Sequence, residues 1–243
     1  MILTLTPNPS LDRTIELQRL VRGAVNRATG GRVDAGGKGV NVSRALARHG
    51  VKTTAVLPLG GPDAMVLMEL LTEQGVDVRR VPVAGAVRVN ITVAEPDGTT
   101  TKLNEPGPSL SAAEMADLTS SLLESAPPGG WVVGCGSLPG GLGPDYYSTL
   151  VAPLHERAAR IAVDTSGASL QAVLAAADRA SLPDLVKPNR EELEQAVARP
   201  VYTLGDVVTA AQELRSRGIA TVLVSLGRDG AVLVGDGGAV HGS

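Results

Sequence analysis

The sequence contains no phenylalanine, and its three tyrosines and one tryptophan bring the aromatic share to only 2%. A chain so poor in rings has no platforms on which the bases of single-stranded nucleic acid could stack. Cys135 is the only cysteine, which excludes an internal disulfide framework and any paired-cysteine zinc site. The three histidines, His49, His155 and His241, lie too far apart for a local metal motif. No uninterrupted apolar run reaches the ~20 residues of a membrane-spanning helix, and the opening MILTLTPNPS lacks both the basic segment and the cleavage-like end of a secretory leader. A formal net charge of −3 gives no general attraction to nucleic acid or anionic membrane. These absences point away from nucleic acid and membrane as partners, and the single thiol points to a reducing, cytoplasmic compartment.

What the sequence does have, across 243 residues that are 43% hydrophobic, is a regular alternation. Short apolar runs, ILTLT (2–6), TAVLPLG (54–60), WVVGCGS (131–137), RIAVDTS (160–166), DLVKPN (184–189) and TVLVSLG (221–227), read as strands that run into Gly, Pro, Ser or Asn. Between them, helical periodicity predicts helices at about 39–49, 62–74, 111–124, 144–159, 189–197 and 205–216, the third opening on a Ser111/Glu114 capping box. Such alternation implies a parallel sheet covered on both faces, with ligands at the carboxyl ends of its strands. Two regions break it: residues 12–34, and VRVNITVAEPDGTTTKLNEPG (87–107), a hairpin turned at Pro96-Asp97-Gly98. They are expected to form a small β lid, at about 12–34 and 87–105, inserted in a single α/β domain that takes in residues 1–243.

DAGGKGVNVSRALARHG (34–50) places glycines and Lys38 ahead of a helical run. Glycine lets backbone approach a ligand, and the free N–H groups of a helix start carry partial positive charge. Yet a Walker A loop would need glycine at Arg32 and Ser or Thr at Gly39, and a dinucleotide fingerprint read from Gly37 would need glycine at Val42. The loop is neither, and a tight strand-to-helix turn explains it equally well. On the helix that follows, Val42, Ala45 and Leu46 are expected to be buried, and Asn41 to face the loop.

Other candidates have similar double readings. Asp12, in NPSLD after the first strand, suits ligand hydroxyls or a turn; Arg27 and Arg88 are basic residues placed to approach the glycine loop or solvent. GCGSLPGG matches neither a nucleotide loop nor a nucleophile elbow, which leaves Ser137 as a hydroxyl contact and Cys135 as a small buried hydrophobe. In VKPNREELE, Asn189 and Glu192 fit a helix capping box or an indirect Mg²⁺ contact. Ser225 and Gly227 of VSLGRDG fit close approach to a nucleotide, while residues 228–230 make a good hairpin turn.

The order NPSLD, GGKGVN, VRVN, GSLP, VDTSG, VKPNREE, VSLG resembles the ribokinase-like (PfkB) carbohydrate kinases, within them the phosphosugar branch of the bacterial 1-phosphofructokinases. The resemblance implies a three-layer α/β/α fold with a β lid, and ATP- and Mg²⁺-dependent phosphorylation of a phosphosugar, fructose 1-phosphate foremost. Tagatose 6-phosphate kinase, 6-phosphofructokinase and a noncatalytic sugar-phosphate or nucleotide binder are the alternatives. It assigns Asp12, Gly36, Gly37, Asn41 and Ser137 to the sugar, and Arg27, Lys38 and Arg88 to the neighbourhood of its phosphate. Lys187, Asn189, Ser225 and Gly227 fall on the ATP side, with Asn189 and Glu192 as the magnesium-linked pair. It further implies a glycine-rich GAGD-type segment carrying the catalytic aspartate. The sequence reaches GGAVHGS without one, so the expectation is a chain that lacks its C-terminal catalytic part and turns over little or not at all. A homodimer through the lid is expected from the apolar alternation Val87, Val89, Ile91, Val93.

Overall fold

The computed structural model describes residues 1–176 and 178–243. The chain begins with β1 (Ile2–Leu5), then β2 (Ser10–Glu16) and β3 (Gly30–Gly36), α1 (Lys38–Arg48), β4 (Thr53–Leu59), α2 (Asp63–Glu73) and β5 (Asp77–Pro82). β6 (Arg88–Ala94) and β7 (Thr100–Asn104) lead to α3 (Ala112–Ser125), β8 (Trp131–Cys135), α4 (Tyr146–His155), β9 (Arg160–Asp164) and α5 (Gly167–Leu174). The rest comprises β10 (Leu185–Val186), α6 (Arg190–Val197), α7 (Leu204–Ser216), β11 (Thr221–Ser225), β12 (Ala231–Gly235) and β13 (Gly238–Gly242).

Nine strands form the main sheet in the order β13-β12-β11-β10-β9-β8-β1-β4-β5. Pairing is parallel from β5 to β11, as the βαβ pattern requires, while β12 and β13 join antiparallel. The all-parallel expectation therefore fails at one edge, because residues 226–230 and 236–237 are too short to hold crossover helices. Successive residues of β4 divide between two cores. Val56 joins a cluster with Leu118, Tyr147, Leu150, Val207 and Leu214 from α3, α4 and α7, while Ala55, Leu57 and Leu59 join Val40, Leu67 and Leu71 from α1 and α2. The sheet is thus sandwiched between two helical layers. Along β11 and β12, Val222, Val224, Val232 and Val234 are buried beneath α7, whereas on the opposite face Leu233 and its β13 neighbour Val240 are exposed.

Two elements were not anticipated, β5 and α5, and the strand expected over 184–189 is reduced to the two residues of β10. The buried face of α1 also differs: Gly39, Val40 and Ser43 are buried, and Ala45 is exposed. The cause is its seat on β1. The Ser43 hydroxyl shares a buried 2.8 Å hydrogen bond with Thr4 Oγ1, and a Cβ on Gly39 would meet Thr6 Oγ1 and the Leu5 carbonyl.

The second sheet has the order β3-β2-β6-β7 and is separate from the main sheet. β2 pairs antiparallel with β3 and parallel with β6, so the 87–107 hairpin forms half of a four-stranded layer. Its turn lies at 95–99, where Glu95 N–H donates to the Thr99 carbonyl. Leu11, Ala35 and Val87 on one face are buried in the α1/α2 core, with Val33 and Val89 packed against it. The alternate positions, Ser10, Asp12, Asn90 and Asn104 among them, make a polar face.

Candidate active site

At the carboxyl end of β1, the polar face of the second sheet meets the start of α1. Gly37 is the residue before that helix, with φ +116°, and a Cβ there would press on the Thr6 methyl group. The N-cap Gly37 makes no side-chain cap, so among the described residues the first N–H groups of the helix are left uncapped beside a cavity of about 330 Å³. Gly37, Lys38, Asn41, Arg88 and Ser137 all line this cavity, joined by Thr6, Asn8, Ser10 and Asn90.

The polar groups around it are incompletely satisfied. Thr6 Oγ1, Asn8 Oδ1, Asn90 Oδ1 and Arg88 Nε are buried and have no hydrogen-bond partner among the described residues. Arg88 donates its other N–H groups to the Glu105 carbonyl at 3.0 Å and the Asn8 carbonyl at 3.1 Å. Burial pulls its pKa below the ordinary value, while Asp12 and Glu105 pull it back up. An unpaired buried polar group costs about 1–3 kcal/mol; the Arg88 Nε–H favours a negatively charged acceptor, while the Asn8 and Asn90 amide oxygens need donors such as the hydroxyls of a sugar.

Asp12 stands at the edge of this arrangement. Its Oδ1 accepts from Ser10 Oγ at 2.8 Å and Asn90 Nδ2 at 2.9 Å, and it lines the adjoining hollow between α1 and the second sheet. Its carboxylate covers Gly36, leaving no room for a side chain there. Arg27 is not brought to the cavity by its own chain. It lies exposed in the loop beyond the Glu16/Gly30 end of the β2/β3 pair, while the cavity adjoins the Ser10/Gly36 end, about 20 Å away at ~3.3 Å per residue.

The nucleotide-side residues form a second group. Asn189 bridges to Ser225, whose N–H donates to the Pro188 carbonyl, and Gly227 follows with φ +62° and open space at its Cβ. Asn189 caps α6: its Oδ1 accepts from Glu192 N–H, and Glu192 Oε2 accepts from Asn189 N–H, both at 2.8 Å. Asp164, at the end of β9, joins the two groups. It pairs with Lys38 Nζ at 3.0 Å and with Lys187 Nζ at 3.3 Å. Below them Cys135 is buried, its thiol pushed up to about 12, chiefly by desolvation and next by Asp164, with the two lysines opposing. Asp164, Asn8 and Asn90 were missed in the sequence, although VDTSG, NPSLD and VRVN contain them.

The family model for pfkB family carbohydrate kinases matches residues 5–242. The chain is a member of that family. A 1-phosphofructokinase of Xanthomonas campestris is 42% identical over 236 residues, covering 96% of this chain and 73% of that protein. An ATP-dependent 6-phosphofructokinase isozyme 2 of Mycobacterium tuberculosis is 36% identical, covering 96% and 67%. Phosphofructokinase-2 of Escherichia coli in complex with fructose-6-phosphate superposes with a TM-score of 0.91 at 34% identity, covering 99% of this chain and 78% of that one. The ribokinase-like α/β fold of this pfkB kinase and its assignment to phosphosugar kinases rest on these matches. No described helix is long and apolar enough to cross a membrane.

Proposed function

We propose that this pfkB kinase transfers a phosphoryl group from ATP to fructose 1-phosphate, giving fructose 1,6-bisphosphate, with the sugar in the cavity beneath the second sheet. The observation that carries the reading is the half-buried Arg88 guanidinium, whose buried Nε–H has no partner among the described residues, at a cavity that Lys38 also lines. A neutral sugar needs no such pair of cations. A phosphate satisfies the orphan donor and offsets the desolvation that Arg88 already bears. In this reading Gly36, Gly37, Asn41, Ser137 and Asp12 orient sugar hydroxyls, and Lys187, Ser225 and Gly227 hold the nucleotide. The second sheet is then the lid over the sugar. Of the residues from which a homodimer was expected, Val87 and Val93 are buried within the chain and Val89 packs on its core, so the contact rests instead on half-buried Ile15 and Ile91 and on Leu103, which is 59% exposed.

For Mg²⁺, the capping box engages Asn189 Oδ1 and Glu192 Oε2, leaving one Glu192 oxygen unengaged. No cluster of three or more His, Cys, Asp or Glu among the described residues could hold a metal. The pair therefore fits an ion held mainly by water and nucleotide phosphates, with Glu192 as an outer contact. Such an ion supplies neutralisation of phosphate charge during transfer. None of the residues lining the cavity carries a carboxylate to take the proton of the reacting hydroxyl. Asp12 is engaged by Ser10 and Asn90, and Asp164 by two lysines. A polypeptide of residues 1–243 is accordingly expected to bind phosphosugar with little or no turnover.

Calorimetric titration with fructose 1-phosphate, fructose 6-phosphate, tagatose 6-phosphate, unphosphorylated fructose and, separately, ATP tests the reading. Tightest binding of fructose 1-phosphate supports it. A preference for either 6-phosphate moves the assignment to the corresponding kinase, and ATP binding alone to a nucleotide binder. Fructose binding as tightly as the phosphosugars overturns the role given to Arg88 and Lys38.

A further inference from the structure

We infer that Asp164 is a positioning residue that holds Lys38 and Lys187 in place for their ligands, so that phosphosugar binding depends on a carboxylate of like charge to the phosphate. The inference rests on the function proposed above. Asp164 is the fixed member of the trio. Its short side chain is only 13% exposed, and its strand position is set by the β8/β9 register, in which it faces Cys135. Its carbonyl accepts from Gly136 N–H at 2.8 Å, and the buried Thr165 hydroxyl next to it donates to the Gly136 carbonyl at 3.0 Å.

The lysines are the adjustable members. Each carries its ammonium on a flexible four-carbon stem, and their side chains are 46% and 31% exposed. They come from separate elements, the first residue of α1 and the residue after β10. Without the carboxylate each would sample many rotamers, and two like charges at one site would push apart. Oδ1 serves Lys38 and Oδ2 serves Lys187, so one rigid group fixes both. An ammonium has three donors, which lets each lysine reach a phosphate oxygen while keeping its bond to Asp164. The ordering cost is thus met before the ligand arrives, and the two ligand sides share one anchor.

Charge and position make opposite predictions for Asp164→Asn. Removing a negative charge near an anion site should tighten phosphosugar binding if charge alone matters. If Asp164 positions the lysines, the variant binds more weakly. The experiment is calorimetric titration of the 243-residue protein with fructose 1-phosphate, without nucleotide, for the parent, D164N, K38A and the double variant, with thermal unfolding as the check on folding. The expected result is about a tenfold weaker Kd for D164N, comparable to the ordering of one lysine side chain. Adding K38A to D164N should then cost less than K38A costs the parent. Should D164N not fold, D164E replaces it. The charge is then kept while the carboxylate moves by one methylene from both lysines, so positioning expects severalfold weaker fructose 1-phosphate binding and charge alone expects no change. Unchanged or tighter binding by D164N, strictly additive losses in the cycle, or an unaffected D164E would each overturn the inference while leaving the proposed function standing. A parent protein that binds no phosphosugar overturns both.

Discussion

Replacing Glu192 with glutamine separates two roles that its geometry combines. Oε2 of Glu192 and Oδ1 of Asn189 each accept the other residue's backbone N–H at 2.8 Å, closing the box that opens α6. Glutamine keeps an acceptor oxygen and is accepted in such boxes as readily as glutamate. What it loses is a charge beside the positive end of the helix, where Glu191 remains, so the expected destabilisation is about 0.5 kcal/mol. For a chain of this length that lowers Tm by about 1–2 °C. Alanine also removes the side-chain half of the box and should cost about 1 kcal/mol more, another ~2–4 °C. The effect on ATP should follow a different order. Both variants remove the one carboxylate oxygen that the box leaves unengaged, so both should lose about three- to tenfold of the gain in ATP affinity that Mg²⁺ confers, within the range of a solvent-mediated charged contact. Calorimetric ATP titrations with and without Mg²⁺, alongside thermal unfolding of the same three proteins, give both numbers. An identical Mg²⁺ dependence in the parent and E192Q would refute the magnesium role and leave Glu192 as a helix cap.

Other expectations follow from the same geometry. Lys38→Ala should weaken fructose 1-phosphate binding about tenfold to a hundredfold and ATP binding much less; equal losses for the two ligands would remove Lys38 from the sugar side. If the lid carries a homodimer contact, Leu103→Lys should dissociate it in sedimentation experiments, and a parent protein that is monomeric at micromolar concentration disproves the contact. Cys135, buried with its pKa pushed up to about 12, stays a protonated thiol at pH 8 and should resist iodoacetamide until the protein unfolds; prompt alkylation of the native chain contradicts this. Backbone N–H groups of Ser111 and Ala84 hold Glu114 below its ordinary pKa, and that of Thr203 does the same for Asp206. Their contribution is complete above the ordinary carboxylate range and is lost as pH falls through the lowered values, so the acid-side loss of Tm should be shallower in E114Q.

The parts of the fold that were legible in the sequence are those whose periodicity and caps agree. Ser111 with Glu114 and Asn189 with Glu192 open α3 and α6 as their spacing indicates. β5 was hidden because it is an edge strand, and the exposed Asp77, Arg79 and Arg80 obscure its alternation. α5 was hidden because its eight residues begin on a glycine and give too little periodicity to register. The buried face of α1 was misjudged because tertiary contacts set it, the hydroxyl of Ser43 outweighing the hydrophobicity of Ala45. In the site, the glycine loop and Arg88 were visible as motifs. Asp164 was not, because nothing within VDTSG shows that its partners lie at residues 38 and 187.

The central pairing of the second sheet has a consequence for how the chain folds. β2 and β6 lie side by side although Asp12 and Asn90, which hydrogen-bond across them, are 78 residues apart in sequence. A hairpin can close by itself in about 1–10 μs, but this pair must wait for a loop that contains α1, β4, α2 and β5. Those elements have to condense first, burying Leu57, Leu67 and Leu71, before Ser10 and Arg88 come into register. On the ribosome, β2 and β3 therefore emerge early, and β2 stays without its second neighbour until β6, which ends at Ala94, has been made. The polar face that lines the cavity is among the last surfaces of the N-terminal half to take shape, and protection of the Asp12 and Asn90 amides from hydrogen exchange would time its arrival.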